Sequence, residues 1–250
     1  MKKLDLILIG GFGVNHLIIK GAIDYYKDYF NVHFIDLPGS IEGASMERYK
    51  LKDFVDYMQK KIEEIGSKEY ILAPLSFGFL ISSYLNIDDR CKGILTVVPF
   101  INANYLKFSS FQKLIYIGLI NLIHFLRLER VFWHSKILKR LISRTVSNET
   151  ADKVINELDP RSSLLTLKII LGCTNKIKFR DLPCVLIVSE TDPAIDVDKT
   201  IKTFNEEVEH VYLITSKISH FPKTIEKEYF KSGLDQERVE GIMPFFLKHM

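Results

Sequence analysis

Short apolar segments alternate along this chain with segments of helical period, and that alternation restricts the fold more than any other feature. Most of the apolar segments are continuous, as expected of parallel strands buried on both faces. Gly66 is well placed to end the helical period that runs from Leu51 to Ile65. We therefore predict an α/β fold with a mostly parallel sheet of about six strands and helices on both faces. The strand candidates are Leu4–Ile9, Val32–Ile35, Tyr70–Ala73, Gly93–Val98, Cys184–Val188 and Val211–Thr215.

The alternation stops after Phe100. From Ile101 to Lys178 the sequence shows helical periods and no convincing strand, and Asp159-Pro160 is typical of a helix N-terminus. We predict an α/β core at 1–100 and 179–250 and an all-helical insertion at 101–178. A chain of 250 residues is long enough for one such core with an insertion.

Composition narrows the functional classes. The net charge of +3 is too small to indicate a nucleic-acid partner. Cys91, Cys173 and Cys184 are odd in number and lack metal-ligand spacing, which favours reduced thiols and a cytoplasmic location. The apolar run Leu4–Ile9 is too short for a transmembrane segment. No cofactor and no metal are expected.

Ser76 follows a buried strand and precedes an apolar helix, in the segment Ala73–Gly78. A serine on such a tight turn is lifted above the sheet, where the N-terminal amides of the new helix face the reacting carbon. A side chain at Gly78 would collide with the neighbouring strand. Ser76 is therefore a candidate nucleophile, although a helix N-cap serine would give the same local pattern.

The glycine-rich segment after the first strand, Gly10–Gly13, is a candidate oxyanion hole. Glycines let the backbone approach a ligand closely. We expect the amides of Phe12 and Phe77 to donate to the oxyanion, and Gly11 and Gly13 to contact the substrate.

A dinucleotide-binding loop is the competing interpretation of the same glycines. That loop requires a third glycine at the position where this chain has His16. The dinucleotide fold is therefore the weaker interpretation.

His220 is the candidate base, because it follows the last strand by a short polar loop. Asp192 occupies the corresponding position after the preceding strand. Open α/β sheets build their sites at the carboxyl ends of strands, and a carboxylate there can orient the imidazole. Glu190 and Asp196 are rival acids; Asp192 ranks first because the proline that follows it would hold it near the strand end.

Taken in the chain order Ser, Asp, His, these residues resemble the catalytic residues of the α/β-hydrolase superfamily, specifically its lid-bearing serine hydrolase and esterase branch. The resemblance implies a serine hydrolase with a nucleophile elbow and an insertion in the position of a lid. It rests on Leu8–Gly13 as oxyanion turn, Phe34–Gly39 as the loop after the next strand, Ser76–Gly78 as the second half of the elbow, Val188–Pro193 as acid loop and Ser219–Phe221 as histidine loop.

Two residues depart from the family pattern. Pro74 stands where the elbow usually has its first glycine, and Gly10 stands where many members have a histidine. Neither change removes a catalytic group. Both keep open a non-catalytic, ligand-binding member of the fold.

The insertion carries the excess of positive charge. Its segment 101–150 has a net charge of +6, whereas the rest of the chain sums to −3. Its apolar run Leu114–Leu126 is too short to span a bilayer. Three interpretations remain open: a solvated helix whose apolar side covers the site, a rim for an anionic carrier such as an acyl-carrier protein or CoA, and docking on anionic lipid. The charged residues are Lys107, Lys113, Arg127, Arg130, Lys136, Lys139, Arg140 and Arg144, against Glu129 and Glu149.

The function favoured by these residues is hydrolysis of an ester or thioester of a hydrophobic acyl group through an acyl-enzyme. The same three residues can also serve C–C bond hydrolysis or a lyase step. An epoxide hydrolase is less favoured, since similar enzymes of that type use Asp where Ser76 stands.

Overall fold

The computed structural model of the chain describes residues 3–40, 46, 49–142, 148–218, 220, 224 and 226–250. Its centre is a six-stranded sheet in the order β2-β1-β3-β4-β5-β6, and every neighbouring pair is parallel. The prediction of a parallel α/β sheet is confirmed. The strands are β1 Asp5–Ile9, β2 Asn31–Ile35, β3 Tyr70–Pro74, β4 Cys91–Val97, β5 Cys184–Ser189 and β6 Val211–Ser216.

Helices cover both faces of the sheet, because successive strand residues point to opposite sides. Leu6 and Leu8 of β1 belong to a core cluster that includes residues of α1 and α10–α12, whereas Ile7 and Ile9 belong to one that includes residues of α2, α3 and α9. The helices of the α/β part are α1 Lys20–Tyr26, α2 Leu51–Ile65, α3 Phe77–Ser82, α9 Val197–Glu207, α10 Lys227–Gly233, α11 Gln236–Glu240 and α12 Ile242–His249.

In the described residues, five α-helices and the short 3₁₀ helix Ala103–Tyr105 stand between β4 and β5, where the sequence predicts an insertion. In its described residues, the segment 101–178 contributes no strand to the sheet. Asp159 caps the last of these helices by accepting the N–H of Ser162 at 2.7 Å, and Pro160 is its first residue. That the segment is a lid stays a prediction, and Arg144 lies outside the described residues. The five are α4 Ser110–Phe125, α5 Glu129–Trp133, α6 Lys136–Ile142, α7 Asn148–Glu157 and α8 Pro160–Gly172.

Hydrogen bonds join the insertion to the sheet at two ends. Near the oxyanion segment, Asn15 donates to Glu157 Oε2 at 2.8 Å. Near the acid loop, Leu106 forms an antiparallel bridge with Ile195. These contacts place the insertion above the carboxyl ends of the strands. Within the described part of the chain, no helix is both long and apolar enough to cross a membrane.

Candidate active site

Ser76 lies on the turn between β3 and α3, with φ +43° and ψ −112°. A non-glycine residue at positive φ is uncommon, and such strain persists only where the surroundings fix it. Here the N–H of Ser76 donates to Val97 O at 3.0 Å, and its carbonyl accepts the N–H of Phe79 at 2.9 Å. The main chain of β4 and the first turn of α3 therefore hold the serine at the end of the strand.

Two glycines let the segments around Ser76 approach each other. A Cβ on Gly78 would lie 2.7 Å from Gly10 O and 2.9 Å from Ile9 O, which confirms the predicted collision with the neighbouring strand. A Cβ on Gly11 would lie 3.0 Å from Leu75 O. Both contacts are with main-chain atoms, which have little room to move.

The loops after β5 and β6 bring two further side chains to Ser76. Ser76 Oγ lies 3.1 Å from His220 Nε2, and His220 Nδ1 lies 2.7 Å from Asp192 Oδ2. The imidazole is 8% exposed and the carboxylate 0%, so water screens these contacts little. The three residues singled out in the sequence are therefore hydrogen-bonded in series. Ser219 and Phe221, which flank the histidine, lie outside the described residues.

Asp192 is held as a carboxylate. Burial alone would raise its pKa, but the hydrogen bond and charge of His220 and the N–H groups of Ile195 and Ala194 outweigh burial, so the pKa lies below its ordinary value. Both amides donate to Oδ1 at 2.8 Å. The remaining oxygen, Oδ2, accepts the imidazole N–H. This arrangement fixes the ring with Nε2 facing Ser76 Oγ, as the atom that can accept the serine proton.

The two rival acids, Asp196 and Glu190, have other positions and contacts in the structure. Asp196 caps α9 by accepting the N–H of Lys199 at 3.1 Å. Glu190 is exposed at the end of β5. Neither contacts His220 among the described residues, so the geometry favours Asp192.

Two main-chain N–H groups next to Ser76 have no acceptor among the described residues: those of Phe12 and Phe77. Phe77 is the first residue of α3, whose N–H has no intrahelical partner. Phe12, Phe77 and Ser76 line one cavity. The arrangement suits stabilisation of a negative oxygen beside the serine.

No family model matches the sequence. The pimeloyl-(acyl-carrier protein) methyl ester esterases of Wigglesworthia glossinidia brevipalpis and Vibrio campbellii are 28% and 30% identical to the chain over 97 and 98 residues. These matches cover 38% and 37% of this chain and span only 36% of each relative's length.

Solved structures match over almost the whole chain. An esterase from Thermogutta terrifontis superposes with a TM-score of 0.70 at 13% identity, covering 100% of this chain and 92% of that one. A hydrolase from Oleispira antarctica superposes with a TM-score of 0.71 at 12% identity, covering 98% and 92%. The chain has the α/β-hydrolase fold. At these identities the likeness concerns the fold alone.

Pro74 and Gly10 sit in the α/β-hydrolase core without displacing the serine. Pro74 ends β3 and has no N–H, and its carbonyl accepts the hydroxyl of Thr96 at 3.0 Å. Gly10 donates its N–H to Ile35 O at 3.1 Å. Neither position carries a side chain that contacts Ser76. The two departures therefore leave the hydrogen-bonded series intact.

Lys107 is a site residue that sequence reasoning missed. Its Nζ donates to the carbonyl of Asp192 at 2.7 Å, and its N–H donates to Ala194 O at 2.9 Å. The start of the insertion thereby holds the loop that carries the acid. The sequence places Lys107 only among the cations of the insertion, because a contact across 85 residues has no local pattern.

Apolar cavities open on both sides of the serine. One has about 80 Å³ of free space and runs between the sheet and α1 and α10, reaching Tyr26 and Phe230. The other, of about 180 Å³, lies under the insertion against Leu167 and Ile170. Ser76 and His220 border both, so a substrate with two apolar arms could straddle the hydroxyl.

Gly11 and Gly13 line neither of these two cavities, although Gly11 lies against Leu75 and Ser76. They line a smaller cavity against Gly39 and Ser162, which does not include Ser76. Their predicted contact with substrate stays a prediction. In the described part of the chain, no group of three or more His, Cys, Asp or Glu side chains is placed to hold a metal ion.

Proposed function

We propose that this chain is a serine hydrolase that cleaves an ester or thioester of a hydrophobic acyl group through an acyl-enzyme. The observation that carries the proposal is the hydrogen-bonded series from Ser76 Oγ to His220 at 3.1 Å and from His220 to Asp192 at 2.7 Å. The esterase and hydrolase names of the similar proteins support the same reaction class.

In the proposed reaction, Ser76 Oγ attacks the carbonyl carbon while His220 Nε2 takes the hydroxyl proton. The amides of Phe12 and Phe77 donate to the oxygen that becomes negative. His220 then gives the proton to the leaving alcohol or thiol, and the acyl group remains on Ser76. Water attacks the acyl-enzyme with His220 acting as base again. Asp192 keeps Nδ1 protonated throughout and stabilises the imidazolium.

The cavity linings support a hydrophobic acyl group. The wall beneath α1 and α10 is built from aliphatic and aromatic side chains such as Val14, Ile19 and Phe230. Apolar cavities bind apolar chains through the area that they remove from water. A substrate with a charged acyl group would leave its charge without a partner there.

One specific form of this proposal is that the acyl group of the substrate is linked to a carrier. The names of the curated relatives specify a methyl ester on an acyl-carrier protein. The insertion is the basic part of this chain, with a net charge of +6 over 101–150, and acyl carriers and CoA are anionic. The substrate panel should therefore offer each acyl group free, on CoA and on an acyl-carrier protein.

Fluorophosphonate labelling tests the proposal. Wild-type protein should be labelled at Ser76, and Ser76→Ala should lose the label and roughly four to six decades of ester turnover. Ser82→Ala is the control, because that hydroxyl is buried at the end of α3 and has no hydrogen-bond partner among the described residues. Wild-type protein that takes no label would refute the hydrolase and favour a ligand-binding role. Label without ester or thioester turnover would redirect the chemistry to C–C cleavage or a lyase step.

A further inference from the structure

One face of α4 is apolar and exposed to solvent; we name it the α4 outer face. The opposite face packs into the insertion through Ile120 and Ile123, which are buried. On the outer face Phe111 is 72% exposed, Leu114 67% and Phe125 82%, so whole side chains stand in water. Soluble proteins rarely expose a continuous apolar patch of this size without a binding role. The outer face consists of Phe111, Leu114, Ile115, Leu119, Leu122, Phe125 and Leu126.

Cations border the α4 outer face. Arg127 follows the C-cap residue of α4, and Arg130 and Lys136 lie on the next two helices; all three are exposed. None has an ion-pair partner among the described residues. Exposed Leu128 and Val131 alternate with the two arginines, so apolar and basic groups share one surface. The segment 101–128 contains no Asp or Glu at all.

Arg127 occupies a position where glycine is usual. Its φ is +56°, and the next residue, Leu128, donates its N–H to Ile123 O at 2.9 Å, as in a helix C-terminus closed by a left-handed residue. Any non-glycine residue there is strained. The strained position carries a cation at the edge of the apolar face.

Phe108 lies between α4 and the candidate site. It lines the cavity that contains Ser76 and His220, and its ring lies 5.8 Å from that of Tyr116 on α4. Aromatic side chains therefore connect α4 with the cavity beside Ser76.

We propose that the α4 outer face docks on an anionic lipid bilayer, with the helix lying in the plane of the interface. The 16 residues of α4 extend about 24 Å at ~1.5 Å per residue, which is shorter than a bilayer core of ~30 Å. Apolar residues flanked by Arg and Lys are the composition that interfacial helices use. A second copy of this chain offers no anionic group on its own α4 outer face to meet these cations.

Vesicle co-sedimentation tests the proposal without turnover, so it also works with Ser76→Ala and is independent of the proposed function. Wild-type protein should bind vesicles of phosphatidylcholine and phosphatidylglycerol at 3:1 and bind pure phosphatidylcholine more weakly. F111S/F125S should reduce binding to both by at least about tenfold. R127Q/R130Q should reduce only the anionic binding, by roughly ten- to thirtyfold.

Matched controls distinguish vesicle binding by the α4 outer face from non-specific adsorption of the protein. Leu247→Ser removes an apolar side chain that is 55% exposed on α12, and K60Q/K202Q removes two exposed cations elsewhere. Both should bind vesicles as wild type does. An unchanged far-UV circular dichroism spectrum would show that F111S/F125S is folded.

Three results would overturn the proposal. The first result is that wild-type protein stays in the supernatant when it is mixed with anionic vesicles. A dimer in light scattering that F111S/F125S dissociates, without vesicle binding, would assign the face to a second copy. Saturable binding of an acidic acyl-carrier protein that F111S/F125S abolishes, again without vesicle binding, would assign it to that protein.

Discussion

Asp192→Asn keeps the shape of a buried side chain and changes only its hydrogen-bonding group next to His220, from a carboxylate oxygen to an amide. In the structure Oδ1 accepts the N–H groups of Ala194 and Ile195 at 2.8 Å, and Oδ2 accepts the imidazole N–H at 2.7 Å. Asparagine can keep the two main-chain bonds only by turning its NH₂ group toward Nδ1. The ring must then carry its proton on Nε2, the atom that faces Ser76, and it can no longer accept the serine proton.

The size of the effect follows from that change of tautomer. The equivalent substitution in a serine protease triad lowers kcat about 10⁴-fold with the geometry intact. Four decades correspond to about 5.4 kcal/mol of transition-state stabilisation, at 1.36 kcal/mol per decade. Asp192 lines neither apolar cavity beside the serine, so KM should change less than about threefold.

The assay is steady-state hydrolysis of a p-nitrophenyl ester, with active sites counted by fluorophosphonate labelling of wild-type protein. Glu190→Gln is the matched control, because it removes an exposed acid from the same loop and should keep kcat within about twofold. Circular dichroism checks that both variants fold. Asp192→Asn with kcat within tenfold of wild type, or Glu190→Gln with an equal loss, would refute the reasoning.

Three further predictions follow from single contacts. Gly78→Ala should lower the free energy of unfolding by about 1–3 kcal/mol in urea titration, because its Cβ would lie 2.7 Å from Gly10 O. Lys107→Met should lower kcat about tenfold with little change in KM, since it frees the loop of Asp192; Lys113→Met, which releases only the carbonyl of Ala103, should not. The lowered pKa of Asp192 contributes stability that is complete above the ordinary value of 3.8 and lost as pH falls through the lower folded value. The excess stability of wild type over Asp192→Asn should therefore shrink as pH falls through 3.8 toward the lower folded pKa, measured by urea titration at a series of pH values.

The α/β sheet was predictable because its signal is local. Each buried strand is a short apolar run, and each run ends where a polar residue, a glycine or a proline begins. Ser76, Asp192 and His220 each follow such a run within a few residues, and parallel strands end at one edge of the sheet. Their proximity could therefore be inferred without knowing any distance.

Strand ends were less predictable. The sequence suggests that β3 stops at Ala73, since proline cannot donate to a ladder, yet the structure extends it to Pro74. The strand tolerates the proline because Pro74 is its last residue, and the carbonyl of Pro74 accepts the hydroxyl of Thr96.

The sequence of α4 does not predict which of its faces is buried. An apolar run of this length is normally read as a helix that covers a core, and one face does so through Ile120 and Ile123. The other face is equally apolar and has nothing over it among the described residues. Which face is covered depends on where α8 packs, and no residue of α4 encodes that.

The strained residues at the site support one another. Ser76 lies on the turn after β3 and Val98 follows β4, and both have positive φ, of +43° and +41°. The N–H of Ser76 donates to Val97 O, and the N–H of Phe100 donates back to Ser76 O at 3.1 Å. A third bond, from Val98 N–H to Ile187 O at 2.8 Å, ties the pair to β5. Relaxing either strained residue would break bonds to its neighbour, so the position of the serine hydroxyl is set by three strands together rather than by the turn that carries it.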